Sequence, residues 1–352
     1  MALYNDYYGL TDRPFQLTPD PRFYFDSATH RKAMAYLGYG LAQGEGFIVV
    51  TGEVGAGKTT LVGHLMDTLD PHRLGVATIS STQLGGDDML RMIAQAFGVT
   101  AAGPDKAHLL DRIEAYLQEQ ARAGRKTLLV VDEAQNLPDE ALEELRMLSN
   151  FQDGSSALLQ ILLLGQPEFR ERLQASVELE QLRQRIIAAH HLDAMGPNEI
   201  GPYIVHRLSL VGWVGEPSFT PDAYSAMYRF SGGLPRKLNA LASRTLLLGA
   251  IEKLSVIDGH AVDIVIADFE AQPIPLNPVI EEEPPAPIVR AVAPEDAPRE
   301  TAIPADMAAR LAAIEARLDE QDDALRRMLV LLAEWVERDE AIHADAIRHS
   351  VG

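Results

Sequence analysis

Three sets of residues in this chain have types and spacing suited to phosphate chemistry. The first is Gly52-Glu53-Val54-Gly55-Ala56-Gly57-Lys58-Thr59-Thr60, which satisfies the G-x-x-x-x-G-K-[ST] pattern. Gly52, Gly55 and Gly57 let backbone N–H groups turn inward around phosphate oxygens, and a helix opening after them points its positive end at the same anion. Lys58 is then expected to reach the β- and γ-phosphates and the Thr59 hydroxyl to ligate Mg²⁺, so ATP and Mg²⁺ are the expected cofactors. A Gly-rich turn would match the same pattern without binding anything. The second set is Asp132-Glu133, two acids that close the apolar run T-L-L-V-V. Asp132 is placed to hold the Mg²⁺ shell, directly or through water, and Glu133 to polarise the attacking water. The alternative is an ordinary acid pair capping a helix after a strand.

The third set consists of single polar residues. Gln166, in Gly165-Gln166-Pro167-Glu168, stands where a side chain from a neighbouring strand could meet the γ-phosphate or the attacking water; otherwise it is a turn residue before a helix. Arg183 and Arg185, in L-E-Q-L-R-Q-R-I, stand at the end of an α/β pattern, from which a guanidinium could enter a neighbour's nucleotide site or simply face solvent. Arg236, in L-P-R-K, could swing onto the nucleotide from a helical lid, or be solvated. His190 and His191 are adjacent within a strand and point to opposite faces, which suits packing rather than metal binding.

Such groups need a scaffold, and the apolar pattern supplies one. Phe47–Val50, Leu74–Ile79, Thr127–Glu133, Leu158–Leu164 and Ile186–Leu192 read as buried strands. Between them lie helical patterns: Leu61, Leu65 and Leu69 up to Asp70-Pro71; Met89–Phe97; Ala107–Ala121; and a helix opened by Pro138 with Leu142, Leu145 and Leu148 inside. From Asn198 the pattern is wholly helical, with starts at Thr220-Pro221, Pro235 and Asp258 and an end near Ala271. Residues 1–30 are aromatic and proline-rich, too rigid for a helix, and expected to pack across the body as a strap or as a wall of the adenine pocket. A helix over Ser27–Leu41 follows. The spacing therefore divides the chain into 1–44 (aromatic segment and leading helix), 45–195 (nucleotide-binding core), 196–271 (helical lid), 272–305 (unstructured linker rich in proline and acids) and 306–348. In the last, Met307, Leu311, Ile314, Leu318, Leu325, Met328, Leu332 and Trp335 form a heptad seam, expected to be a coiled coil that pairs with itself or with a partner.

The totals narrow the class. A hydrophobic fraction of 47% supports a real core. With no cysteine there is no disulfide framework, thiolate metal site or cysteine nucleophile. No leader pattern opens the chain and no run is apolar enough to be a transmembrane segment, so a cytoplasmic protein is expected. The net charge of −20 divides into −11 (23 basic, 34 acidic) over 1–270 and −9 (8 basic, 17 acidic) over 271–352. Both halves repel a phosphate backbone, and nucleic acid is not the expected partner.

Taken together, these motifs resemble an AAA+ ATPase of the general-secretion-pathway-A (ExeA-like) type. Y-Y-G-L-T-D-R-P-F-Q-L-T-P-D-P-R-F-Y-F, D-E-A-Q-N-L-P and E-E-L-R-M-L-S-N-F-Q resemble, more closely, the ATPase associated with the XrtA exosortase and PEP-CTERM sorting system. The resemblance covers about residues 1–270 and implies a P-loop NTPase of α/β class, with an αβα core and a small helical lid. It makes Gln166 the first sensor, Arg236 the second-sensor arginine and Arg183 or Arg185 the finger acting in trans. It implies self-association through the core, as a ring or dimer, and ATP hydrolysis in the service of a bacterial envelope, exopolysaccharide or protein-sorting system, with peripheral placement at the inner membrane through a partner. Relatives of the secretion type often continue into a membrane helix and a peptidoglycan-binding domain, where this chain has the linker and heptads. Two other functions are open: a nucleic-acid-associated ATPase of the transposition-helper or origin-binding kind, and a nucleotide-controlled scaffold with negligible turnover.

Overall fold

Five strands, almost continuously apolar, form one parallel sheet: β1 (Phe47–Gly52), β2 (Leu74–Ser80), β3 (Lys126–Asp132), β4 (Leu159–Gly165) and β5 (Ile186–Leu192), in the order β2-β3-β4-β1-β5. The computed structural model describes residues 3–70, 72–80, 86–99 and 106–271. The expected linker over 272–305 and coiled coil over 306–348 lie outside the described residues.

Parallel strands need crossovers, and the crossover helices bury both faces of the sheet, which is why β1 and β4 carry no exposed residue. In chain order the helices are α1 (Leu3–Tyr8), α2 (Ala28–Gln43), α3 (Lys58–Thr68), α4 (Gly86–Ala96), α5 (Lys106–Arg122), α6 (Asp139–Leu148), α7 (Pro167–Ala175), α8 (Glu180–Arg183), α9 (Ile200–Ser209), α10 (Pro221–Ser231), α11 (Pro235–Glu252) and α12 (Gly259–Ala271). Alternation along each strand sorts its side chains. Phe47, Val49, Leu129, Val131, Ile161 and Leu163 meet α4 to α7 on one face, while Ile48, Val50, Leu128, Val130, Leu162 and Leu164 meet α2 and α3 on the other. The register pairs Val50 with Leu164 and Val131 with Leu163, so Gly52, Asp132 and Gly165 finish at the same edge of the sheet. That edge is where open α/β sheets place their ligands.

The helices α9 to α12 form a separate hydrophobic cluster built on Ile204, Leu208, Leu238, Leu241, Leu246 and Val262. Proline at the first position of α10 and α11 and Gly232 in the left-handed region (φ 59°) between them set the corner. The aromatic segment belongs to this cluster rather than to the sheet: Tyr4, Leu10, Phe15 and Phe23 are buried among the lid helices. One expectation needs correction. Leu3–Tyr8 is helical, because the prolines begin only at Pro14; the helix stops at Gly9, in the left-handed region (φ 67°). Tyr4 and Tyr8, one turn apart, anchor that helix through hydroxyl contacts with Ser243 Oγ (3.2 Å) and Leu254 O (3.2 Å).

Candidate nucleotide-binding site

β1 ends in the glycine-rich loop. Gly55 (φ 82°) and Gly57 (φ 99°) occupy backbone conformations that a side chain would strain, and both are crowded besides: a Cβ on Gly55 would overlap Arg236. Lys58 opens α3 and folds back, Nζ donating to Gly52 O (2.7 Å) and Glu53 O (3.1 Å). It is 8% exposed, and among the described residues no carboxylate lies within ion-pairing distance of it. Burial lowers its pKa, opposed by the more distant charges of Glu133, Asp132, Glu53 and Glu168. A buried ammonium whose close partners are neutral carbonyls is suited to an anionic ligand.

β3 and β4 bring the acids and the amide to the same loop. Thr59 Oγ1 donates to Asp132 Oδ2 (3.0 Å), and Asp132 Oδ1 accepts from the Glu133 N–H (2.8 Å). Glu133 has φ 54°, unusual for a residue with a side chain and of the kind that clusters at functional sites. Its Oε2 accepts from Gln135 Nε2 (2.5 Å) and Gln166 Nε2 (3.2 Å), while the Gln166 N–H donates to Gln135 Oε1 (3.1 Å). Partial burial pushes the Glu133 pKa up, but the two amide bonds and the charges of Lys58 and Arg236 outweigh it and hold the carboxyl below the usual range. At neutral pH it is therefore a carboxylate held in place by neutral donors. The Thr59 hydroxyl and the Asp132 carboxylate are both oxygen donors, a set that fits Mg²⁺, which takes one or two protein oxygens and completes its shell with water and phosphate.

The lid and the aromatic segment close the other side. The Arg236 N–H donates to Gly55 O (3.2 Å), which seats the start of α11 on the loop. A cavity of about 340 Å³ runs from Lys58, Thr59, Thr60, Asp132 and Glu133 past Val54 and Arg236 to Tyr24, Phe25, Tyr203 and Asn239. Tyr24 stacks on His64 of α3 (3.8 Å between centroids) and meets His30 edge-on (5.8 Å). His30 Nδ1 is 2.7 Å from Ser27 Oγ, and burial pulls its pKa down to about 4.

Arg183 and Arg185 are not brought to this cavity. Arg183 on α8 donates to Leu173 O (2.9 Å) and Gln174 O (3.1 Å) and pairs with Glu180, capping the end of α7. Arg185 donates to Ser149 Oγ (3.2 Å) beside the first residue of β5, while its carbonyl accepts from Phe47 at the start of β1. Both therefore lie at the sheet edge opposite the loop. His191 Nδ1 is 3.0 Å from Thr51 Oγ1 and His190 stacks on Tyr36, as packing residues do. Reading the sequence missed Gln135, His30, Tyr203, Arg207 and Asn239. Of these, Asn239 alone had a local signal, one helical turn after Arg236.

Residues 41–173 match the family described as an AAA domain. Over 274 residues, 77% of the chain, the sequence is 36% identical to the general secretion pathway protein A of Aeromonas hydrophila and spans 49% of that protein's length. Among solved structures, Cdc6p of Pyrobaculum aerophilum matches with a TM-score of 0.57 at 15% identity, over 75% of this chain and 70% of that one. The Aeropyrum pernix ORC2 protein, solved as ADPNP–ADP complexes, matches with a TM-score of 0.52 at 16% identity, over 68% of this chain and 66% of that one. The fold is the P-loop AAA+ fold. Within it, the chain is similar to secretion pathway protein A, about half of whose length it spans. Among the described residues of this AAA+ chain, no helix is long and apolar enough to cross a membrane.

Proposed function

We propose that this chain binds and hydrolyses ATP with Mg²⁺, working as an oligomeric motor or switch for a bacterial secretion, protein-sorting or exopolysaccharide system. The observation that carries the reading is the convergence of Lys58, Thr59–Asp132 and the Glu133–Gln135–Gln166 cluster on one glycine-rich loop. In this reading the loop N–H groups and Lys58 hold the phosphates, and Thr59 with Asp132 hold Mg²⁺, which supplies charge neutralisation at the β- and γ-phosphates. Glu133 takes the proton of the attacking water, and Gln166 orients that water or the γ-phosphate. Arg236, seated on Gly55 by its own N–H, responds to the nucleotide from the lid. Tyr24 and Phe25 wall the base. Arg185, held among the described residues by Ser149 alone, is the better candidate for a finger in a neighbour's site, because Arg183 is committed to capping α7.

The envelope assignment draws on the relation to secretion pathway protein A, and the narrower one, to the exosortase and PEP-CTERM system, on the resemblance of the aromatic segment and the D-E-A-Q-N-L-P stretch. A cytoplasmic protein, docked at the inner membrane through a partner of the 306–348 heptads, fits both. The deciding experiment is steady-state ATP hydrolysis by wild type, Lys58→Ala and Glu133→Gln, alone and with single-stranded DNA, duplex DNA or vesicles. Turnover lost in both variants and indifferent to DNA supports the proposal. Stimulation by DNA favours a nucleic-acid role, and binding without turnover in wild type favours a scaffold.

A further inference from the structure

Asn239 lies one turn beyond Arg236 on α11, is 6% exposed and lines the cavity. Its amide is oriented by a relay whose direction is set by chemistry. Arg207 can only donate, and its Nη1 occupies one lone pair of the Tyr203 hydroxyl (2.8 Å). Tyr203 is buried, and among the described residues the one acceptor for its own proton is Asn239, at 2.7 Å. That atom must be Oδ1, so Nδ2 is left at the opposite end of the amide with two N–H groups and no hydrogen-bond partner among the described residues. Burial raises the Tyr203 pKa against the pull of Arg207 and keeps the phenol a donor. The root of the relay is equally fixed. Arg207 Nε donates to Pro14 O (2.6 Å), and its guanidinium lies over the Phe23 ring (4.6 Å), so the aromatic segment itself locks the arginine.

An amide whose idle donors open onto a cavity is placed to meet a ligand acceptor there. We propose that Asn239 reads the base of the bound nucleotide, Nδ2 donating to a ring nitrogen of the purine, with Tyr203 and Arg207 as positioning residues that keep the amide from flipping. The proposal rests on the nucleotide reading above, and adds to it the group that selects the base.

The test is a set of affinities on the full chain, for ATP and its 1-deaza, 3-deaza and 7-deaza analogues, each of which replaces one ring nitrogen by C–H. Wild type should bind one analogue about 10-fold more weakly than ATP, the worth of one neutral hydrogen bond. Asn239→Leu should bind that analogue and ATP alike. Tyr203→Phe, which frees the amide to rotate, should bring the ratio toward one, an effect that a purely structural role for Tyr203 would not produce. Lys58→Ala should weaken all four ligands and leave their ratio intact. The wild-type series needs no variant to fold: three analogues bound as tightly as ATP would overturn the assignment, as would discrimination retained by Asn239→Leu. Full discrimination in Tyr203→Phe would remove the relay. An unchanged ATP affinity in Lys58→Ala would instead defeat the nucleotide reading itself, a result distinct from the others.

Discussion

His30 should leave a measurable mark on the pH dependence of folding. It sits at the first turn of α2, 6% exposed, with Ser27 on Nδ1 and the loop glycine Gly57 facing Nε2. Burial moves its pKa from 6.5 to about 4, with Glu199 and Asp26 pulling weakly the other way. The unfolded chain thus takes up this proton near pH 6.5, while the fold resists it until near pH 4. Between those values the unfolded state binds more protons, so the stability contributed by neutral His30 is complete above the unfolded pKa and is lost as pH falls toward the folded one. At about 1.4 kcal/mol per pKa unit the full contribution is about 3 kcal/mol, of which about 2 kcal/mol is gone by about pH 5. The assay is urea unfolding of wild type and His30→Gln at about pH 7.5 and about pH 5. Glutamine does not titrate, so wild type should lose about 2 kcal/mol more than the variant over that interval. Carboxylates affect both proteins alike and cancel. Equal losses in the two proteins would show that His30 is not held neutral by burial, and with it that the cavity wall beside Gly57 is wetter than the structure has it.

Other outcomes follow from the same geometry. Lys58→Ala should lose at least about 10-fold in ATP affinity, while Glu133→Gln keeps affinity and loses turnover, as equilibrium binding and steady-state rates would show. Gly55→Ala places a methyl group against Arg236 in a left-handed backbone and should cost about 1–3 kcal/mol in thermal stability, with weaker nucleotide binding; an unchanged melting temperature would mean that the lid does not seat on the loop. Arg185→Ala should bind ATP without hydrolysing it, and mixing it with Lys58→Ala should restore part of the activity if the arginine acts in trans. A 1–276 fragment should fold and bind ATP but lose whatever association the heptads carry, measurable by light scattering of the two proteins.

The half of the candidate site built on the glycine-rich loop was legible because it is local. Nine consecutive residues, Gly52 to Thr60, make the loop, and the apolar run before Asp132 announces a buried strand ending at the ligand edge. Glu133 was legible for the same reason; its partner Gln135 was not, since nothing in D-E-A-Q says that the glutamine turns back on the acid. The opposite side of the cavity is built from contacts distant in sequence. Pro14 meets Arg207, Tyr24 meets His64 and Tyr203 meets Asn239, and no periodicity links these pairs. The aromatic segment was misread in part because residues 1–30 were taken as one stretch, although Leu3–Tyr8 precedes every proline and is free to coil.

The placement of the arginines bears on whether one subunit can hydrolyse ATP alone. β1 begins beside Arg185 and ends at Gly52, five steps later, which at about 3.3 Å each separate the two by roughly 17 Å. An arginine side chain spans less than half of that, and Arg185 directly precedes β5, with its carbonyl tied to the Phe47 N–H of β1, so it cannot swing across to close the gap. Among the described residues, the cations lining the cavity beside the glycine-rich loop are Lys58, held against the loop carbonyls, and Arg236, carried by the lid. A finger is worth about 10³–10⁵ in rate, far more than an exposed ion pair such as Arg183–Glu180 contributes to stability. If Arg185 serves as one, it serves a second copy, and specific activity must rise with protein concentration until the oligomer is complete. Turnover independent of concentration, with no rescue in the Arg185→Ala and Lys58→Ala mixture, would confine the arginine to holding Ser149.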